Sequence, residues 1–115
     1  MTLSGIARRL MVIVDEDAVF ERKPLYTEIV RRAHDTGLAG ASVFRGIEGF
    51  GSSGRVHTNR ILSLTATLPA MVIIIDTAAK IDEFLQQLET LEVRGVIAVD
   101  DVEIVSSGQV PGAAR

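Results

Sequence analysis

A chain of 115 residues, 47% apolar and carrying a formal charge of −3, is sized for one domain, with roughly two thirds of its unfolded surface buried on folding. The acidic balance argues against a general nucleic-acid binder, which needs a basic surface to displace counterions. The absence of cysteine excludes disulfides and thiolate metal or nucleophile sites.

Arg8 and Arg9 precede a short apolar run, Leu10 to Val14, that leads straight into Asp15-Glu16-Asp17. With no small-residue cleavage site following it, the run is expected to be a buried strand and not a secretory signal. Pro24 opens a helix where its missing N–H costs nothing. Leu25, Ile29 and Ala33 share one face of that helix, and Gly37 is its C-terminal stop. A second strand is expected from Ala41 to about Ile47. Ile61 to Leu64 reads as a short strand or the returning arm of a loop. Pro69 precedes a firm strand, Ala70 to Asp76, whose apolar run is far short of the ~20 residues a membrane helix needs. Direct membrane insertion is therefore not expected, and a cytoplasmic location is the default. Asp76 or Thr77 caps a helix carrying Ile81, Phe84, Leu85, Leu88 and Leu91 at helical spacing. Gly95 is expected to end it, and Val96 to Val105 forms the last strand. Residues 1–105 form the domain, and 106–115 read as a flexible tail rich in Ser, Gly, Pro and Ala.

The order β-α-β, glycine-rich connection, β-α-β is the ferredoxin-like pattern: a four-stranded antiparallel sheet with both helices on one face. Such a sheet should alternate apolar and polar residues. Leu10 to Val14 and Met71 to Ile75 are instead apolar at consecutive positions. Two helices cover only one face, so a second subunit is expected on the other, making the protein a homo-oligomer.

Four of the ten glycines fall between Arg45 and His57, beside Arg55 and Glu48. Glycine lets backbone N–H groups approach a ligand, so glycine mixed with arginine suggests an anion-binding loop. Gly49, Gly51 and Gly54 spell the dinucleotide fingerprint, but that motif needs a helix to begin in the loop. The segment from Arg55 to Thr65 is rich in β-branched residues, Ser and Thr, and lacks that context. Gly49 and Gly54 also have phosphate-loop spacing, but Arg55-Val56 stands where lysine and a hydroxyl are required. The bland alternative is a flexible hairpin loop whose glycines serve turn geometry alone.

Lys23-Pro-Leu-Tyr, the block Gly40-Ala-Ser-Val-Phe-Arg-Gly-Ile-Glu-Gly-Phe-Gly, Gly54-Arg-Val-His-Thr, Leu68-Pro and Asp76 together resemble a specific bacterial and archaeal group. It is the PII-like family catalogued as domain of unknown function one hundred and ninety, and the likeness runs from about residue 8 to 105. The resemblance implies a ferredoxin-like subunit assembled as a PII-type homotrimer with the sheets facing inward. It also implies nucleotides or other small effectors bound in clefts between subunits, near the base of the long loop that reaches toward a partner. Members of the family often sit in genomes beside small fluoride channels, which points to an ion channel or transporter as partner.

Several residues need separate weighing. Asp15-Glu16-Asp17 could hold a hard cation through carboxylate oxygens, although acidic turns after a strand are usually only solvated. Asp100 and Asp101 are expected in solvent, or in a salt bridge between subunits with Arg8 or Arg9. His34 and His57 lack metal-ligand spacing, and no metal site is expected. Lys23 reads as an ordinary exposed lysine, with an anion at the helix N-terminus as the alternative. Ser52, Ser53 and His57 form no nucleophile elbow, and a hydrolase built on His57 and Glu48 is disfavoured.

The expectation is a regulatory protein, not an enzyme, that binds a small anionic effector such as an adenine nucleotide. Arg45, Gly46, Glu48, Gly49, Gly51, Arg55 and His57 are the candidate ligand-binding residues. Phe50 is the candidate partner anchor, and the 49–58 loop would carry the signal to a transporter or enzyme. The alternative is a protein-docking module, with Phe50 as anchor and no small-molecule site.

Overall fold

The computed structural model describes residues 3–50, 57–58 and 67–108, with the backbone alone for His57 and Thr58. The main sheet is built from β1 (Gly5–Asp15), β4 (Ser42–Arg45), β7 (Pro69–Asp76) and β8 (Val96–Ile104), ordered β4-β7-β1-β8. Every adjacent pair is antiparallel. Helices α1 (Leu25–Asp35) and α2 (Ala78–Thr90) pack on one face, α1 against β7 and α2 across β1 and β7. This is the expected ferredoxin-like arrangement. Two small hairpins lie outside the main sheet: β2 (Val19–Phe20) with β3 (Lys23–Pro24), and β5 (Glu48–Gly49) with β6 (His57–Thr58).

Alternation along β1 and β7 divides the sheet into two faces. Leu10, Val12 and Val14 of β1 lie beside Ile74, Val72 and Ala70 of β7 and point into the helix layer. They meet Leu25, Ile29 and Ala33 of α1, and Ile81, Phe84 and Leu88 of α2. Full burial of side chains such as Ile29, Ile81 and Phe84 stabilises by about 1.5–3 kcal/mol each before chain entropy is set against it. The other face carries Met11, Ile13, Met71, Ile73 and Ile75, half-buried, with Phe44 and Val96 exposed at 53% and 54%. Consecutive apolar residues thus serve two faces, and among the described residues only one is covered by helices.

β1 extends well beyond the expected core run because its charged start is matched across the sheet. Arg9 stands opposite Asp100 and Arg8 opposite Asp101. Arg9 grips Asp100 with two hydrogen bonds, 3.0 and 2.6 Å. Those bonds hold the Asp100 carboxyl below its usual pKa, with charge attraction adding to the effect. Arg8 reaches Asp82 of α2 at 2.6 Å and Asp101 at 3.4 Å. Asp100 and Asp101 are exposed, as one of the two expectations had it, and their partners Arg9 and Arg8 belong to the same chain.

The helix ends follow local chemistry. At the end of α1, Gly37 adopts φ 79. The Leu38 N–H donates to the Ala33 carbonyl and the Gly37 N–H to that of His34, a pair of bonds that closes the helix as a Schellman motif. Thr77 is the N-cap of α2, its hydroxyl accepting from the Lys80 N–H. Asp76 is fully buried and instead accepts from the N–H groups of Ala39 and Thr77, tying the α1–β4 connection to the end of β7. α2 stops at Thr90, and Glu92 takes the left-handed conformation (φ 53), three residues before the expected stop at Gly95.

The β2–β3 hairpin had no sequence signal, because Glu21 and Arg22 stand at positive φ (49 and 69) where Asn-Gly is usual. It is held on α1 by Arg32, whose guanidinium lies 5.4 Å from the Phe20 ring centre. Arg32 and Arg31 both donate to the nearly buried Glu28 carboxylate. Hydrogen bonds from Arg31, then Arg32, lower the Glu28 pKa from 4.5 to about 2. A carboxyl depressed on folding stabilises above its unfolded pKa and loses that contribution as pH falls through the folded value. Thermal melts from pH 5 to 2 should therefore show stability falling through about pH 4.5 to 2, and less steeply in Glu28→Gln.

Ser107 falls within the segment read as a tail. The Ser107 hydroxyl accepts from the Leu3 N–H at 3.0 Å and donates to the Leu3 carbonyl. Residues 109–115 and the segment Ile61 to Leu64 lie outside the described residues.

Candidate functional site

The glycine-rich connection leaves the sheet at the end of β4. That strand stops at Arg45, two residues before the expected end, because the chain turns at Gly46 into the β5–β6 hairpin. The Gly46 N–H donates to the Pro69 carbonyl at 2.7 Å. A Cβ at Gly46 would sit 2.6 Å from Pro69 Cγ, so the close crossing of these two strands needs glycine. The N–H of Gly46, a candidate ligand-binding residue, is committed to this crossing. Gly49 opposes His57 and Glu48 opposes Thr58 in the short ladder. The connection thus begins as a paired hairpin, with Glu48 exposed and Phe50 72% exposed. Gly51, Gly54 and Arg55 lie outside the described residues, as does the His57 side chain.

Arg45 is the candidate that the structure defines best. Its Nε and Nη2 both donate to Glu16 Oε2, at 2.8 and 2.5 Å. These hydrogen bonds, followed by charge attraction and a smaller contribution from Tyr26, raise the Arg45 pKa. The Glu16 backbone N–H donates to the Leu68 carbonyl at 2.8 Å. Asp17 Oδ1 accepts from the Thr67 hydroxyl at 3.1 Å. The acidic turn after β1 therefore ties down both ends of the central connection: Arg45 where it leaves and Thr67-Leu68 where it returns. Acidic composition alone pointed to solvent or a cation, since the partners lie 29 and about 50 positions away. Among the described residues, no three His, Asp or Glu side chains gather as a metal site.

A pocket of about 230 Å³ lies at this end of the sheet, lined by Ile13, Phe44, Arg45, Gly46, Pro69 and Met71. Strand alternation puts Phe44 and Met71 on the open face and the Arg45 side chain on the helix side. β4 is an edge strand of the sheet. The apolar pocket and the Arg45 guanidinium thus lie on opposite faces of the same strand end. Lys23 and His34 stand apart from it and exposed, Lys23 in β3 and His34 in the last turn of α1.

Comparison with known proteins agrees with this architecture. The DUF190 family, described as an uncharacterized ACR, matches residues 7–104, and the chain belongs to that family. It is 38% identical over 96 residues to the UPF0166 protein of Aquifex aeolicus (strain VF5), covering 84% of this chain and 90% of that protein. It is 28% identical over 99 residues to UPF0166 protein MJ1524 of Methanocaldococcus jannaschii, covering 85% and 91%. Among solved structures it is similar to CPII, a nitrogen regulatory PII-like protein from Thiomonas intermedia K12, bound to ADP, AMP and bicarbonate. The TM-score is 0.58 at 20% identity, covering 86% of this chain and 88% of that one, and the likeness establishes a PII-like fold.

The crossing of Gly46 over Pro69 gives a direct test. Gly46→Ala forces a methyl group against a rigid ring, and overpacking of this kind costs about 1–3 kcal/mol. Urea unfolding should show that loss, with Gly49→Ala, whose Cβ would meet Pro69 at an ordinary 3.5 Å, less affected.

Proposed function

We propose that this protein is a PII-like regulatory protein: a cytoplasmic homotrimer that binds a small anionic effector, an adenine nucleotide foremost, in clefts between subunits. The observation that carries the reading is the end of β4, where an apolar pocket on the open face and the Arg45 guanidinium on the helix side flank the base of the central connection. A pocket of about 230 Å³ is smaller than most ligand sites, which run about 300–1,000 Å³. It opens on the apolar sheet face, so a neighbouring subunit laid on that face would supply further walls. A flat base suits the wall of Phe44, Pro69 and Met71, and a phosphate suits the Arg45 guanidinium. The bound ADP and AMP of the CPII structure support the choice of adenine nucleotide.

In this reading Arg55, Gly49, Gly51 and His57 contribute from the connection, with Glu48 accepting from ribose or base. Effector binding favours one state of the 49–58 segment, which then engages or releases a transporter, ion channel or enzyme. Phe50 is the anchor for that partner, and its exposure also favours a second reading, a docking module with no small-molecule site.

Light scattering should give a particle of three 12.4 kDa subunits, and Phe44→Glu on the open face should dissociate it. ADP, AMP or ATP should raise the melting temperature of the native protein, and Arg45→Ala should remove most of the shift. Silence across that panel, with no nucleotide co-purifying, overturns the nucleotide assignment. In the docking reading Phe50→Ala abolishes partner capture and Arg45→Ala leaves it intact.

A further inference from the structure

We infer that Glu16 is an internal competitor for the anion that Arg45 binds, so that the effector must displace a carboxylate of the chain itself; this rests on the effector reading above. Arg45 turns its Nε–Nη2 edge to Glu16, the same forked edge that grips phosphates and carboxylates. An incoming phosphate therefore meets donors already engaged.

The competitor is held in place. The Glu16 side chain is only 22% exposed, whereas that of Arg45 is 68% exposed. The Glu16 N–H is bonded to Leu68, the Ala18 N–H closes the turn on the Asp15 carbonyl at 3.0 Å, and Asp17 takes the Thr67 hydroxyl. Little freedom remains for Glu16 to lose on pairing, which strengthens it against a mobile ligand. Glu16 also places a full negative charge against the guanidinium. A phosphate group, which offers the fork two oxygens, is the chemistry suited to take the place of Glu16 there. Displacing Glu16 also detaches Arg45 from the turn that holds Thr67 and Leu68, which links occupancy to the base of the connection.

The test is calorimetric titration of the native protein, Glu16→Gln and Arg45→Ala with ADP and with pyrophosphate, alongside amide hydrogen exchange at residues 16–18. Glu16→Gln keeps shape and removes the charge, and it should bind ADP about five-fold tighter, the scale an exposed ion pair sets. ADP added to the native protein should speed exchange of the Glu16 amide. If ADP binds the native protein and Glu16→Gln binds it equally or more weakly, the competitor role is overturned while the effector reading stands. If ADP binds neither protein but pyrophosphate binds Glu16→Gln more tightly than native, the competitor stands and the nucleotide reading falls. If Glu16→Gln gains nothing for either probe, the competitor is overturned.

Discussion

The pairing of β1 with β7 is the constraint on which the rest of the molecule depends. Their register sets Val12 beside Val72 and Leu10 beside Ile74, and a slip of one residue would turn the inward set outward. Both helices find their places from that inward row. The small Ala70 and Ala33 leave room where the layers approach. On the other side of β1 a second register, that with β8, sets Arg8 opposite Asp101 and Arg9 opposite Asp100.

The same pairing leaves an apolar surface. Met11, Ile13, Met71, Ile73 and Ile75 lie on the face that no helix covers, and a monomer rarely exposes so continuous an apolar patch. Edge strand β4 borders that face, and its end is where the central connection leaves. Structural and functional demands therefore meet over a few residues. Phe44 belongs to the open face, Arg45 to the acidic turn, and Gly46 to the crossing with Pro69. The strand's alternation sends neighbouring side chains to opposite faces, so one short segment touches the sheet face, the connection and the turn after β1.

Much of the architecture was legible in the order of residues. Long apolar runs marked β1 and β7, helical spacing marked α1 and α2, and Gly37 marked the end of α1 because the left-handed residue of a helix stop favours glycine. The β2–β3 hairpin and the stop at Glu92 escaped, because non-glycine residues at positive φ are sustained by surrounding packing and not by local preference. The candidate site was legible as a stretch but not as an arrangement. The glycines and arginines from Arg45 onward pointed to an anion, yet nothing local revealed that Gly46 serves Pro69 or that Arg45 already holds Glu16.

By itself, then, the sequence determined what is local or periodic: the elements, their amphipathic faces, the surplus of apolar residues on the sheet, and the family. Tertiary structure alone decided which charges meet. Arg9 with Asp100 and Arg45 with Glu16 are 91 and 29 positions apart, and a salt bridge has no periodicity along the chain to reveal it. Its partners are chosen by strand register and by where the turns fall, and both exist only once the sheet has formed.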